Sequence, residues 1–84
     1  MHEVDLERSA QRDLRSLPKN IFKNVILHIK ALANNPRPPG CRKLTGSEND
    51  FRIRIGVYRV IYEVDDRART VKIFRVRHRR EAYR

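Results

Sequence analysis

The chain has 84 residues and a formal charge of +10, from 20 Lys and Arg against 10 Asp and Glu, and its 39% hydrophobic content fits one folded domain with a modest core. No apolar run approaches the roughly 18 residues that span a bilayer, and Met1-His2-Glu3 leads into no apolar signal core. The lone Cys41 leaves no internal disulfide and no multi-cysteine zinc site, so a single domain over residues 1–84 is expected, in a reducing cytoplasm and away from membranes.

His2 to Leu6 alternates Val4 and Leu6 with charged residues, which suits a short strand. Ser9 is placed to cap a helix running through Ala10, Leu14 and Leu17. Pro18 interrupts it; proline is tolerated in a first helical turn, so a second helix starts there. Its apolar residues Ile21, Phe22, Val25, Ile26, Ile29, Leu32 and Ala33 form one continuous face, and Asn34-Asn35-Pro36 ends it. Residues 35–50 read as the main loop, with Pro36, Pro38, Pro39 and Gly40 at its start and Gly46, Ser47, Asn49 and Asp50 at its end. From Phe51 the period changes to two: Phe51, Ile53 and Ile55 alternate with Arg52 and Arg54. Gly56 marks a turn or bulge, Val57 to Val64 is β-branched and aromatic, Asp65-Asp66 begins a turn, and Thr70 to Val76 makes another strand. Short links predict an antiparallel meander. The fold class is α+β: a small twisted, mainly antiparallel sheet of about four strands, with two N-terminal helices packed on one face and the other left polar and open.

The charge is uneven. Residues 51–84 hold 11 Lys and Arg against 4 Asp and Glu, and 15 of the 20 basic residues are arginine. Such a field attracts polyanions, nucleic acid foremost, although a basic surface also serves solubility or an acidic protein partner. Arg52 and Arg54, two apart on a strand, point to one face, where an RNA phosphate would relieve their repulsion; a solvated strand face would carry the same pair. Arg59 lies among apolar and aromatic neighbours, where an arginine is costly unless its head group reaches solvent or an anion.

The tail from Arg75 to Arg84 adds Arg75, Arg77, Arg79 and Arg80 to a titratable His78 and a phenol, Tyr83. Histidine can act as acid or base near neutral pH, arginine can stabilise phosphorane charge, and tyrosine can stack on a base. These are the parts of RNA cleavage by 2′-hydroxyl attack without a metal; a disordered basic tail has the same composition. His28, beside the apolar helix face, reads as structural, and Cys41 lacks an activating partner. No nucleotide-binding glycine loop, HExxH or paired-cysteine pattern is present, so no cofactor is expected.

Ser9-Ala10, Asp13-Leu14, Leu17-Pro18, Asn35-Pro36, the Gly40–Gly46 segment, Phe51–Val64 and Val76–Arg84 follow one another in an order and spacing that resemble the RelE/ParE superfamily over almost the whole chain. The resemblance implies the toxin of a type II toxin–antitoxin system. RelE-like members cleave mRNA in the ribosomal A site, whereas ParE-like members share the fold and inhibit DNA gyrase. RelE-like members carry basic residues at two alternating strand positions, an arginine after the strand tyrosine, and an arginine and a tyrosine in the tail. Here these are Arg52, Arg54, Arg59, Arg77 and Tyr83, which favours a ribosome-dependent endoribonuclease over the alternative, a gyrase inhibitor without nuclease activity. Arg75, Arg79 and Arg80 are expected to bind RNA.

Familiar RelE members have lysine where this chain has Arg52 and Arg54. An arginine, with a pKa above about 12, does not serve as a base. That leaves His78 first and Tyr83 second, or catalysis by positioning with the ribosome supplying geometry. The expected products are a 2′,3′-cyclic or 3′-phosphate and a 5′-hydroxyl. The implied partners are a RelB-like antitoxin, the ribosome with its mRNA, and operator DNA reached through the antitoxin. The antitoxin should be acidic at the contact and partly disordered alone.

Overall fold

The computed structural model describes residues 1–82. Three strands make the centre of the sheet: β3 (Asp50–Ile55), β4 (Tyr58–Asp65) and β5 (Thr70–His78), paired antiparallel in that order. Gly56-Val57 joins β3 to β4, and only Gly56 takes a positive φ, of 62°. That is the pattern of a type II′ hairpin turn, whose twist matches that of the flanking strands. A Cβ on Gly56 would meet nothing within 4 Å, so glycine is required here by conformation rather than by space.

Two short strands complete the sheet, in the order β1-β5-β4-β3-β2. β1 (Glu3–Leu6) lies parallel to β5, and β2 (Arg42–Lys43) pairs antiparallel with β3. The sheet thus has one strand more than the sequence implies. β2 falls inside the stretch read as loop, and β5 runs two residues past Val76 to His78.

Helices α1 (Arg8–Arg15) and α2 (Lys19–Ala31) pack on one face. Ser9 is not a cap: it lies inside α1, and Glu7 occupies the cap position without a side-chain cap bond. The sheet decides where the helix begins, because the Glu7 N–H donates to Ile73 O at 2.9 Å in continuation of the β1–β5 pairing. Pro18 likewise stands at the cap of α2, one residue before its first turn. Val25, Ile29 and Leu32 are buried as expected, but Phe22 is 38% exposed and turns outward.

The core is one-sided. Phe51, Ile53, Ile55, Val60, Tyr62, Val64, Val71, Ile73 and Val76 from the sheet meet Ala10, Leu14, Val25, Ile29 and Leu32. Each large apolar side chain so buried contributes about 1.5–3 kcal/mol. Tyr62 is fully buried, and its hydroxyl donates to Pro36 O at 2.8 Å, pinning the loop over the core. Burial pushes the Tyr62 phenol well above its ordinary pKa, so it stays protonated as a donor. Cys41 packs half-buried against this cluster. Among the described residues, no helix is long and apolar enough to cross a membrane.

Candidate nucleic-acid interface

Strand alternation sends the residues between the core positions to the face that α1 and α2 leave uncovered. There the register lines up Arg54, Arg59 and Arg77 as cross-strand partners on β3, β4 and β5. Neighbouring strands are about 4.8 Å apart, so the three backbone positions fall within about 10 Å. Arg52 follows one step along the same face of β3, opposite Ile61 of β4 and Arg42 of β2. The Nε atoms of Arg59 and Arg77 are shielded from solvent, so these side chains enter the face as packed, oriented groups rather than as trailing surface arginines.

The Gly56-Val57 turn closes one end of this face. Helix α3 (Arg79–Ala82) begins against it, with the Arg79 N–H donating to Val57 O at 2.7 Å. The result is a cleft of about 340 Å³ lined by Arg54, Gly56, Val57, Tyr58, Arg59, Arg79 and Arg80. At the opposite end of the strands, Asp50, Glu63 and Lys72 stand in register, with Asp5 of β1 beside Lys72. Among the described side chains, the open face is therefore polarised, from mixed and acidic at one end to basic at the end lined by Arg54, Arg59, Arg79 and Arg80.

Four of the arginines picked out from the sequence, Arg52, Arg54, Arg59 and Arg77, share this face, and Arg79 and Arg80 flank it. Two other residues are placed differently. His78 belongs to the opposite side of the sheet: it is the register partner of Tyr58 and lines a small cavity with Asp13, Ser16, Leu17 and Val76. The physical reason is the extra length of β5, which extends the alternation into the tail and turns His78 away when Arg77 turns inward. Its ring meets Tyr58 edge-on, centroids 5.3 Å apart, and its Nδ1 accepts the Arg80 N–H at 3.2 Å. An acceptor Nδ1 fixes the Nε2–H tautomer. His78 thus lies on the helix side of the sheet, its Nδ1 held by the Arg80 N–H, while Arg77 lies on the open face.

Arg75, expected to contact RNA, is engaged by Asp13 of α1. Its Nε donates to Asp13 Oδ2 at 2.8 Å and its Nη2 to Oδ1 at 3.2 Å. The Val76 N–H donates to the same carboxylate at 2.9 Å. A register break between Ile61 and Tyr62 leaves Phe74 as the extra residue in β5, the kind of bulge that re-aims a side chain. Tyr83 lies outside the described residues.

The sequence reading missed two residues of this neighbourhood. Arg42 extends the Arg52 row, yet a two-residue strand is too short to show a period. Asp13 left a trace: an acid in the last turn of a helix opposes the helix dipole, which hints at a partner elsewhere. Among the described residues, no group of three His, Cys, Asp or Glu could hold a metal ion.

The family model for the ParE toxin of the type II toxin–antitoxin system parDE matches residues 4–83. Toxin RelG of Mycobacterium tuberculosis is 37% identical over 99% of this chain and 97% of its own length. Among solved structures, a chain of the RelBE2 toxin–antitoxin complex of M. tuberculosis superposes with a TM-score of 0.81 at 33% identity, covering 92% of this chain and 96% of that one. A chain of the archaeal RelE–RelB complex of Pyrococcus horikoshii gives a TM-score of 0.83 at 29% identity, covering 93% and 94%. Sequence and fold agree along nearly the full length, and the chain belongs to the RelE/ParE superfamily of type II toxin–antitoxin toxins.

Proposed function

We propose that this toxin is a ribosome-dependent endoribonuclease that cleaves mRNA in the A site and so blocks translation. The observation that carries the reading is the in-register row of Arg54, Arg59 and Arg77, with Arg52 beside it, on the face left open by α1 and α2. Preorganised guanidiniums do not reorganise as charge builds on a phosphorane, and they act most strongly where the substrate itself excludes water. Arg52, Arg54 and Arg59 grip the scissile phosphate, Arg77 stabilises charge toward the leaving oxygen, and Arg79 and Arg80 hold the flanking backbone. The 2′-hydroxyl attacks phosphorus, the bond to the 5′-oxygen breaks, and a 2′,3′-cyclic phosphate and a 5′-hydroxyl result.

Arginine keeps its proton, so these residues supply charge and position rather than a base. With His78 on the other face, Tyr83 is the tail residue we assign to the proton or to stacking on the substrate base, and the ribosome completes the geometry. The cognate partner is an acidic RelB-like antitoxin that covers the basic face, through which the pair reaches operator DNA.

The family model is named for ParE toxins, so gyrase inhibition is the competing outcome. The test is purified toxin added to ribosomes stalled with a defined codon in the A site. Cleavage there is expected, with Arg59→Ala slowed by about 10²–10³-fold while remaining folded. Intact message together with stalled gyrase would overturn the nuclease reading.

A further inference from the structure

A second cavity, of about 700 Å³, opens on the far side of Arg54 from the first, lined by His28, Pro38, Pro39, Gly40, Arg42, Arg52, Ile53 and Arg54. Arg54 lines both clefts and is the ridge between them. β2 pairs with β3 only at Phe51 and Arg52, so the groove lies where the edge of β3 continues past its short neighbour at Ile53. Its volume is within the roughly 300–1,000 Å³ of small-molecule sites.

We infer that this groove is a second nucleotide subsite, taking the phosphate and base of the nucleotide next to the scissile one; this rests on the nuclease reading above. Three features support it. First, Arg42 and Arg52 are cross-strand partners and Arg54 follows on the same face. Arg42 meets the neighbouring phosphate on one side of the groove, with Arg52 and Arg54 between it and the scissile one, and a strand held in the first cleft must cross Arg54 to reach it.

Second, the wall opposite is rigid. The Cys41 N–H donates to Pro38 O at 3.0 Å, closing a turn with Pro39 second and Gly40 third, and Gly40 has a φ of 91°. That is the type II pattern, which requires a positive φ at the third position. Two prolines fix the backbone before it, and Gly40 leaves the wall without a side chain.

Third, His28 presents an aromatic ring with a fixed tautomer. Its Nδ1–H donates to Asn24 O at 2.9 Å, so Nε2 is the nitrogen left for a ligand and the exposed ring face is available for stacking. His28 is anchored to α2 through one edge of its ring and borders the groove with the other.

The test uses fluorescein-labelled 2′-O-methyl oligoribonucleotides, which cannot undergo 2′-attack, in equilibrium anisotropy with the full toxin. A dinucleotide reports on the first cleft, and a hexanucleotide reaches both. Arg42→Ala and His28→Ala, both at exposed positions, are expected to weaken the hexanucleotide by about five- to tenfold and to leave the dinucleotide unchanged. Arg59→Ala should weaken both. Hexanucleotide binding by both groove variants at the wild-type level, or an equal loss on both lengths, would overturn the subsite. If Arg59→Ala also binds like wild type, the first cleft fails as the substrate grip, which is a separate failure.

Discussion

Arg77 and His78 are adjacent in sequence and face opposite sides of β5, so one residue of register separates a guanidinium of the open face from a ring on the helix side. The bond from the Arg80 N–H to His78 Nδ1 spans two residues, the reach of an Asx-turn, in which an Asn side chain accepts the same N–H. His78→Ala should therefore remove about 0.5–1.5 kcal/mol of ordering from the start of α3, seen as a two- to tenfold drop in cleavage rate, and His78→Asn should restore most of it. A catalytic acid or base would instead cost about 10²–10⁴-fold with no rescue by asparagine. Asp66 offers a second test at this scale. The Arg37 guanidinium, at 2.9 Å from Oδ2, and then His2, at 3.2 Å from Oδ1, hold its carboxyl below the usual range. A lowered folded-state pKa stabilises above the unfolded value of about 3.9 and is lost as pH falls through the folded one. Urea midpoints compared between pH 5 and pH 2 should show wild type losing ground to Asp66→Asn below about pH 4, and equal pH dependence would refute the coupling.

At the scale of elements, the α1–β5 clasp governs how the tail is presented. Asp13 accepts from Arg75 twice and from the Val76 N–H, beyond the point where β1 stops pairing with β5. It is 15% exposed against 39% for Arg75, so removing the acid strips a partner from a half-buried cation and a strand N–H. Asp13→Ala should destabilise the fold by about 2 kcal/mol, a fall of about 10 °C in melting temperature for a domain of this size; a shift under about 2 °C would deny the clasp its role. The same region shows where the sequence was legible. The alternation of Phe51, Ile53 and Ile55 with Arg52 and Arg54 predicts both faces of β3, and the period and proline signals locate both helices. The bulge at Phe74 and the two-residue β2 are set by partners distant in sequence, and no local pattern encodes them. Past Val76 the local pattern is only a cluster of cations, and it is the pairing with Tyr58 and Arg59 that extends β5 to His78 and sets Arg77 and His78 on opposite faces.

Across the whole molecule, charge count and charge placement are different quantities. The net charge of +10 includes cations on α1 and α2, far from the open face, and Arg75, which Asp13 neutralises. Only cations on the open face near the Gly56-Val57 turn would displace counterions from an RNA strand lying there, while the row of Asp50, Glu63 and Lys72 would discourage the strand from extending to the other end of the sheet. For single strands the slope of log affinity against log salt is about −0.7 per phosphate neutralised. With the arginine row on the scissile phosphate and Arg79 and Arg80 on the flanking backbone, about three phosphates are neutralised, which predicts a slope near −2, far shallower than the total charge would suggest. Arg79→Ala, at an exposed position, should make the slope shallower by about 0.7 without a large change in melting temperature. Arg75→Ala should do the reverse, leaving the slope in place and lowering the melting temperature, because its charge is already balanced inside the fold. Salt titrations of oligonucleotide binding and thermal melts of the two variants separate these outcomes. A matching loss of slope in both would mean that RNA senses the overall field rather than a placed row of guanidiniums.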